Sequence, residues 1–172
     1  AYSDSGIGVY EDAIDELAAY GTVRPERKYG ENSRIDFLLT EPGLPDAYVE
    51  VKNVHLRRAG DLAEFPDSVT ARGAKHLDEL IRVREAGHRA VMLYVLQRTD
   101  VARLAFAADL DPAYAAAQAR AASAGVEMLA RRADDLELVA RAGADARQEQ
   151  LPHPGAVALA HRVAPAVPEV EV

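Results

Sequence analysis

One segment near the middle of the chain constrains the fold more than any other. Residues 89–97 have the sequence RAVMLYVLQ, a nearly continuous apolar run. Because such a run has no polar face, it predicts a strand that is covered on both sides, as in the parallel sheets of α/β proteins. The rest of the chain is therefore expected to supply layers on both faces of a central sheet.

The flanking sequence predicts the other elements of such a domain. Helical spacing of apolar residues predicts two helices, over residues 10–20 and 70–86. A third helix is predicted over residues 112–123, because Asp111 is a typical N-cap and Pro112 suits the first helical position. Alternating patterns predict four further strands, over residues 22–29, 33–39, 47–54 and 126–130. Pro25 restricts the first of these strands to an edge or an irregular segment. Residues 56–69 are predicted to form a long loop. The order strand, helix, strand implies a parallel crossover.

Two of the alternating strands carry ionised side chains inside an otherwise apolar pattern. Asp36 lies within RIDFLL, and Glu50 and Lys52 lie within YVEVKNV. Residues two apart in a strand share a face, so Glu50 and Lys52 project together, and an adjacent strand can bring Asp36 alongside them. Two carboxylates held close together repel each other unless a cation or a proton lies between them.

This arrangement predicts a divalent-cation site. Mg²⁺ and Mn²⁺ prefer oxygen ligands, and the chain has no cysteine. We therefore predict that Asp36 and Glu50 bind Mg²⁺ or Mn²⁺, and that Lys52 orients a nucleophile and offsets charge on a phosphate. Glu16 or Glu11, on the preceding helix, is a candidate further ligand. The alternative is a cross-strand charge network on a solvated face.

Charge bears on the choice of partner. The formal net charge of -8 argues against nucleic acid, because phosphate binding draws on a surplus of Lys and Arg. Enzymes that engage nucleic acid through divalent metals nevertheless carry acidic clusters. The start of the second helix, including His76, could hold a phosphate. The predicted nucleic-acid contacts are Arg34, Arg72, Lys75, Gln97 and Arg98.

Further expectations concern location and domain organisation. No apolar run is long enough to cross a bilayer, and the first residues lack the layout of a secretory signal, so we expect a cytoplasmic protein that does not enter a membrane. One globular domain is expected over residues 1–140. Residues 141–172 are rich in Ala and Pro and are expected to form a mobile tail.

Several motifs occur in an order that resembles one known family. They are KYGENSRIDFLL, YVEVKNV, FPDSVTARGAKHL, GHRAVMLYVLQR, LDPAY and GVEMLA. Together they resemble the sugar fermentation stimulation protein A family. Its C-terminal domain is similar to the PD-(D/E)xK nuclease fold, a restriction-endonuclease-like α/β architecture with a central mixed sheet flanked by helices. The resemblance implies that Asp36, Glu50 and Lys52 are the nuclease-type triad.

The resemblance also implies a function. It suggests a DNA-binding regulator of sugar metabolism, such as maltose utilisation, with a Mg²⁺- or Mn²⁺-dependent DNA phosphodiesterase site. One alternative is a DNA-binding regulator that keeps the fold without turnover. Another is a nuclease-fold domain without independent DNA binding. The latter is an alternative because family members begin with a small OB-like domain associated with DNA contact, and we expect that domain to be absent here.

Overall fold

The computed structural model describes residues 14–30 and 33–134. The strands of this part of the chain are β1 (Thr22–Tyr29), β2 (Ser33–Thr40), β3 (Ala47–Val54), β4 (Leu62–Phe65), β5 (Arg89–Leu96), β6 (Arg103–Phe106) and β7 (Glu127–Arg132). Its helices are α1 (Ala71–Glu85) and α2 (Pro112–Ser123), and a short 3-10 turn spans Asp15–Leu17. None of these helices is long and apolar enough to span a bilayer.

The apolar segment predicted from the sequence forms an inner strand of a mixed sheet. Five strands pair in the order β1-β2-β3-β5-β7, and β4 pairs with β6 in a separate parallel sheet of two strands. β1, β2 and β3 pair antiparallel, whereas β3, β5 and β7 are parallel. β5 is buried from Ala90 to Leu96, which confirms that it is covered on both faces. Pro25 lies in an edge strand, as predicted.

Alternate side chains of β5 enter two different cores. Met92 and Tyr94 pack with Leu77 and Leu80 of α1 and with Tyr114 of α2. On the opposite face of the sheet, a second core contains residues of the 3-10 segment and of the strands: Ile14, Leu17, Tyr20, Leu39, Val49, Val91, Leu93 and Val95. Both long helices therefore cover the face of β3 to which Glu50 and Lys52 belong.

One buried carboxylate holds the starts of both helices. Asp111 accepts hydrogen bonds from the backbone N–H of Thr70 (2.7 Å) and of Tyr114 (2.9 Å). Thr70 in turn caps α1 by accepting from the N–H of Gly73 at 3.0 Å. Side chains that cap helix ends satisfy backbone donors that lack a partner within the helix. The shared carboxylate fixes α1 relative to α2 and thereby fixes the position of α1 over the sheet.

Three sequence predictions differ from the structure. The loop predicted over residues 56–69 contains β4, and β6 is not indicated by the sequence, because strands of four residues are too short to show a period. The helix predicted over residues 10–20 is a 3-10 turn in its described part. Ile14, Leu17 and Tyr20 are buried at a spacing of three, which matches three residues per turn. Residues 141–172 lie outside the described residues.

Candidate active site

The site begins where β2 leaves β3. The two strands pair only at Phe37, Leu38 and Leu39, although β2 itself continues to Ser33 at its other end. The ladder between β1 and β2 is interrupted opposite Asp36, at Glu26, whose φ is 49°. At this point Oδ2 of Asp36 accepts a hydrogen bond from the Val51 N–H at 2.7 Å. The side chain thus takes the place of a backbone carbonyl of β2 as the acceptor for β3.

Glu50 is a buried carboxylate of β3 on the face covered by α1. It is 2% exposed, and its Oε1 accepts a hydrogen bond from Lys52 Nζ at 2.7 Å. Nδ1 of His76, on α1, also contacts Oε1. A buried carboxylate is tolerated when charged or hydrogen-bonding partners offset the loss of solvation. The strand spacing and the facing helix together supply those partners.

The hydrogen bonds around His76 define its tautomer. Arg72 donates from Nε to Nε2 of His76 at 3.3 Å. A ring nitrogen that accepts a hydrogen bond must carry a lone pair, so the proton of the neutral imidazole is on Nδ1, which donates to Glu50. Arg72, His76, Glu50 and Lys52 therefore form a connected chain of side chains from the helix surface to the sheet.

The environment shifts the pKa values of Asp36 and Glu50 in opposite directions. Burial, followed by the charge of Glu50, raises the pKa of Asp36 above its usual range. Burial also acts to raise the pKa of Glu50, but the hydrogen bonds from His76 and Lys52 outweigh it, so the Glu50 pKa is lowered. The carboxylate of Glu50 therefore stays ionised near Asp36 and disfavours ionisation of Asp36. This is the repulsion between two carboxylates that was predicted from the sequence.

A second buried carboxylate lies one helical turn from His76. Glu79 is 2% exposed, and Gly30 of the β1–β2 hairpin lies so close to it that a Cβ at Gly30 would be 3.2 Å from Cδ of Glu79. Burial, followed by the charges of Glu50, Glu79 and Asp36, raises the pKa of Tyr29. Tyr29 is therefore within electrostatic reach of all three carboxylates.

The donor atoms of the site fit a hard divalent cation. Oε2 of Glu50 is buried without a hydrogen-bond partner, as are both carboxylate oxygens of Glu79 and the hydroxyl of Tyr29. Among the described residues, no three carboxylate or imidazole groups are grouped so as to form a cation cage. Mg²⁺ is commonly held by one or two carboxylates together with water and substrate phosphates, and the two carboxylates Asp36 and Glu50 are compatible with that kind of site.

The structure brings Asp36, Glu50 and Lys52 together and connects His76 and Arg72 to them. It locates the other predicted residues elsewhere or in ion pairs. Glu16 pairs with Arg131 at 2.6 Å, and Arg131 lies on the face of β7 opposite to the helices. Lys75 lies 3.8 Å from Glu79. Arg98 pairs with Asp100 at 2.7 Å. Glu11 lies outside the described residues.

Two further predicted contacts are also occupied by neighbours. Gln97 donates to the side chain of Asn53 at 3.0 Å. Asn53 follows Lys52 in β3, so its side chain projects from the opposite face of that strand. Arg34 is 3.8 Å from Glu26, and both side chains are largely exposed, at 62% and 78%. Arg34 and Gln97 are therefore both exposed, although each has a neighbouring side chain.

The contribution of α1 to the site is not evident from the sequence. His76 is predicted there only as a phosphate contact near the helix start, and Glu79 is not predicted at all. Both residues are buried in a helix whose inner face is predicted from apolar positions alone. His76 precedes Leu77 and Glu79 precedes Leu80, so each polar residue borders the apolar face of the helix. This pattern could have indicated that the two residues are buried.

Comparisons with known proteins agree on one family. The family described as "Sugar fermentation stimulation protein RE domain" matches residues 7–135. A "Sugar fermentation stimulation protein homolog" of Dinoroseobacter shibae is 74% identical over 117 residues, covering 68% of this chain and 48% of that protein. Its namesake in Jannaschia sp. is 64% identical over 125 residues, covering 72% and 52%. The chain thus spans about half the length of these curated relatives.

A solved structure is also similar. It is described as Pyrococcus furiosus SfsA in complex with Ca²⁺. The TM-score is 0.66 at 30% sequence identity, and the similarity covers 72% of this chain and 52% of that chain. The similar fold agrees with the predicted α/β architecture built on a central mixed sheet.

Replacing His76 tests its contact with Glu50. We expect His76→Leu to lower the free energy of unfolding by about 1–3 kcal/mol, because a buried carboxylate oxygen loses a donor. His76→Asn keeps an amide donor near the position of Nδ1 and should lose clearly less. Urea denaturation of the two variants and of the unchanged chain measures the difference. Equal losses would mean that ring packing, and not the hydrogen bond, is what His76 supplies.

The raised pKa of Asp36 predicts that ionisation of Asp36 lowers the stability of the folded chain, to an extent that depends on pH. A carboxyl whose pKa is raised on folding stabilises the folded state at low pH, and that stability is lost as pH rises through the folded pKa. Asp36→Asn stays neutral and can still accept from Val51. In EDTA at neutral pH, this variant should therefore unfold a few degrees above the unchanged chain.

The same measurement at acid pH is the control for Asp36→Asn. The gap between the two thermal midpoints should shrink as pH falls and Asp36 becomes protonated. A gap that is constant from acid to neutral pH would indicate that the ionisation of Asp36 is not the cause.

Proposed function

The chain belongs to the sugar fermentation stimulation protein family, and from this premise we propose that Asp36, Glu50 and Lys52 form a divalent-cation-dependent site that cleaves phosphodiester bonds in DNA. The chain has the nuclease-like α/β fold of the family, with a central mixed sheet. The observation that carries the proposal is Glu50, a buried carboxylate with one oxygen held by Lys52 and His76 and the other unpartnered. The charge of Glu50 also acts on the pKa of Asp36.

The unpartnered oxygen supports a ligand role over a purely structural one. If Glu50 belonged only to a charge network, both oxygens would be expected to have partners, because a buried acceptor without one is costly. Lys52 and His76 both bind Oε1, which leaves Oε2 available. The similar Pyrococcus furiosus protein is in complex with Ca²⁺, which adds support because Ca²⁺ also takes oxygen ligands.

In the proposed reaction, Asp36 and Glu50 would hold Mg²⁺ or Mn²⁺. A cation bound there would act as a Lewis acid and would lower the pKa of water. The chain's own residues do the rest. Glu50 stays ionised because His76 and Lys52 donate to it. Lys52 is mostly buried and is fixed by its bond to Glu50, so its ammonium group can orient the attacking water and offset negative charge that develops on the phosphate.

Lys52 is the residue whose loss separates catalysis from cation binding. We expect the unchanged chain to cleave duplex DNA in Mn²⁺ or Mg²⁺, and Lys52→Met to reduce the rate by about 100-fold or more, because a preorganised donor is removed. Arg120→Gln removes a surface cation that pairs with Asp78 and serves as the control. A gel assay with labelled DNA measures the rates.

The outcomes of this assay distinguish the candidate functions. Cleavage that Lys52→Met leaves unchanged would contradict the role of Lys52. A chain that binds DNA and the cation without cleaving would be a non-enzymatic regulator, which is the alternative consistent with the names of its relatives. We propose that in either case the role in sugar metabolism acts through DNA.

A further inference from the structure

The unpartnered buried oxygens of the described residues lie in one part of the molecule. Within residues 14–30 and 33–134, five buried side-chain atoms have no hydrogen-bond partner, and four of them belong to Tyr29, Glu50 and Glu79. The fifth is a nitrogen of Arg131. The proposed cation accounts for the free oxygen of Glu50. The oxygens of Glu79 and Tyr29 still need an explanation, because a buried polar atom without a partner is costly.

Glu79 and Tyr29 border the site around Glu50. Glu79 follows His76 by three residues on α1, and His76 contacts Glu50. The ring of Tyr29 contacts that of Tyr48, with 6.1 Å between the ring centroids. Tyr48 precedes Glu50 by two positions on β3 and therefore shares a face with it. The charges of Glu50 and Glu79 both act on the Tyr29 hydroxyl, so this hydroxyl is close to both carboxylates.

The β1–β2 hairpin makes room for the carboxylate of Glu79. Gly30 has a φ of 58°, and a Cβ there would lie 3.3 and 3.4 Å from the two carboxylate oxygens of Glu79. Gly60 has nearly the same φ, 55°, but nothing lies within 4 Å of a Cβ at that position. The left-handed backbone favours glycine at both positions, whereas the close approach of a carboxylate distinguishes Gly30 from Gly60.

The charge of Glu79 is offset only in part. Lys75 lies 3.8 Å from Oε1 of Glu79, but the side chain of Lys75 is 55% exposed, so solvent weakens the attraction. With Lys52, which contacts Glu50, two ammonium groups face the three carboxylates of Asp36, Glu50 and Glu79. This set lacks one positive charge. One divalent cation is therefore enough for all three carboxylates, and a second cation is not required.

The geometry favours an indirect contact between Glu79 and such a cation. In the part of the chain that the structure describes, no three carboxylate or imidazole groups are grouped so that they could bind one cation together. Mg²⁺ keeps several of its waters when one or two carboxylates bind it. Those waters need acceptors, and Glu79 offers two. Burial and the neighbouring charges raise the pKa of Tyr29, so its hydroxyl stays protonated and can also bond to water.

We propose that Glu79 and the hydroxyl of Tyr29 share the waters of the cation in the candidate active site, and that both are positioning residues of that site. This inference rests on the proposed function, because it takes the cation from there. It does not depend on cleavage of DNA. Groups that lie behind the direct ligands of a metal orient those ligands, and their loss typically weakens metal binding by about 10–100-fold.

The test is a calorimetric titration of Mg²⁺ in the absence of DNA. We expect Glu79→Gln and Tyr29→Phe each to bind Mg²⁺ at least about tenfold more weakly than the unchanged chain. Tyr48→Phe is the control for Tyr29→Phe. It removes a hydroxyl from the neighbouring ring, whose pKa is raised by burial and by the charge of Asp46 and not by the site. Its affinity for Mg²⁺ should equal that of the unchanged chain.

The double variant Glu79→Gln/Tyr29→Phe tests whether the two groups share waters. Residues in one hydrogen-bonded network have effects that do not add, whereas independent residues have effects that do. The loss of affinity in the double variant should therefore be smaller than the product of the two single losses. A loss equal to that product would contradict the shared waters.

Two glycine variants test the contact between the hairpin and Glu79. Gly30→Ala and Gly60→Ala both place a Cβ at a similar positive φ, so both carry a similar backbone strain. Only Gly30→Ala crowds the carboxylate of Glu79, and we expect weaker Mg²⁺ binding in this variant alone. Thermal unfolding in EDTA checks that each variant folds. Glu79→Gln should unfold at or above the midpoint of the unchanged chain, because it removes a buried charge.

The possible failures are distinguishable. Equal Mg²⁺ binding by Glu79→Gln and the unchanged chain would overturn the inference. A loss in Glu79→Gln without a loss in Tyr29→Phe would overturn it as well, because the charge of Glu79 would then act without shared waters. Both results leave cleavage to be judged by the Lys52 assay. No Mg²⁺ binding by the unchanged chain would overturn the proposed cation site together with this inference.

Discussion

The candidate site depends on the contact of one buried carboxylate with two donors from different elements. Glu50 lies under α1, where an unpaired charge would be very costly. Lys52 reaches it along the same strand, and His76 reaches it from the helix. Because both donors bind the same oxygen, the carboxylate is held in one orientation with its second oxygen unpartnered. Local strand geometry alone could not produce this result.

The fold supplies the two conditions that this contact requires. α1 must lie close to β3, and it is held there by Asp111, which caps both helix starts, and by the core around Leu77 and Leu80. In addition, the pairing of β2 with β3 must stop short of Asp36. The two strands pair only from Phe37 to Leu39, and Asp36, on the N-terminal side of Phe37, accepts a hydrogen bond from the N–H of Val51 instead. The end of the pairing thus also places the second carboxylate of the site.

Sequence patterns were sufficient to predict the elements whose side chains follow a local pattern along the chain. The alternation in residues 47–54 gave the bounds of β3 and the common face of Glu50 and Lys52, because a period of two assigns faces without further information. The continuous apolar run gave β5. The Asp111 and Pro112 pair gave the start of α2.

The remainder required tertiary contacts that no local pattern encodes. His76 and Glu79 look like solvent-exposed helix residues in the sequence, and only the packing of α1 on the sheet and hairpin buries them. Arg98 and Lys75 looked available to phosphate, yet each has an acidic neighbour. Glu16 was a candidate ligand because it precedes the sheet in sequence, whereas its partner Arg131 belongs to the far end of the described chain.

Binding of a divalent cation by Asp36 and Glu50 is the central claim, and calorimetric titration of Mn²⁺ tests it most directly. Mn²⁺ is titrated into the unchanged chain, into Glu50→Gln and into Glu127→Gln. The last variant is the control, because Glu127 of β7 pairs with Arg89 of β5. We expect binding by the unchanged chain and by Glu127→Gln, and a loss of at least about tenfold in affinity for Glu50→Gln, because a charged ligand is removed. No binding by the unchanged chain, or equal binding by Glu50→Gln, would contradict the claim.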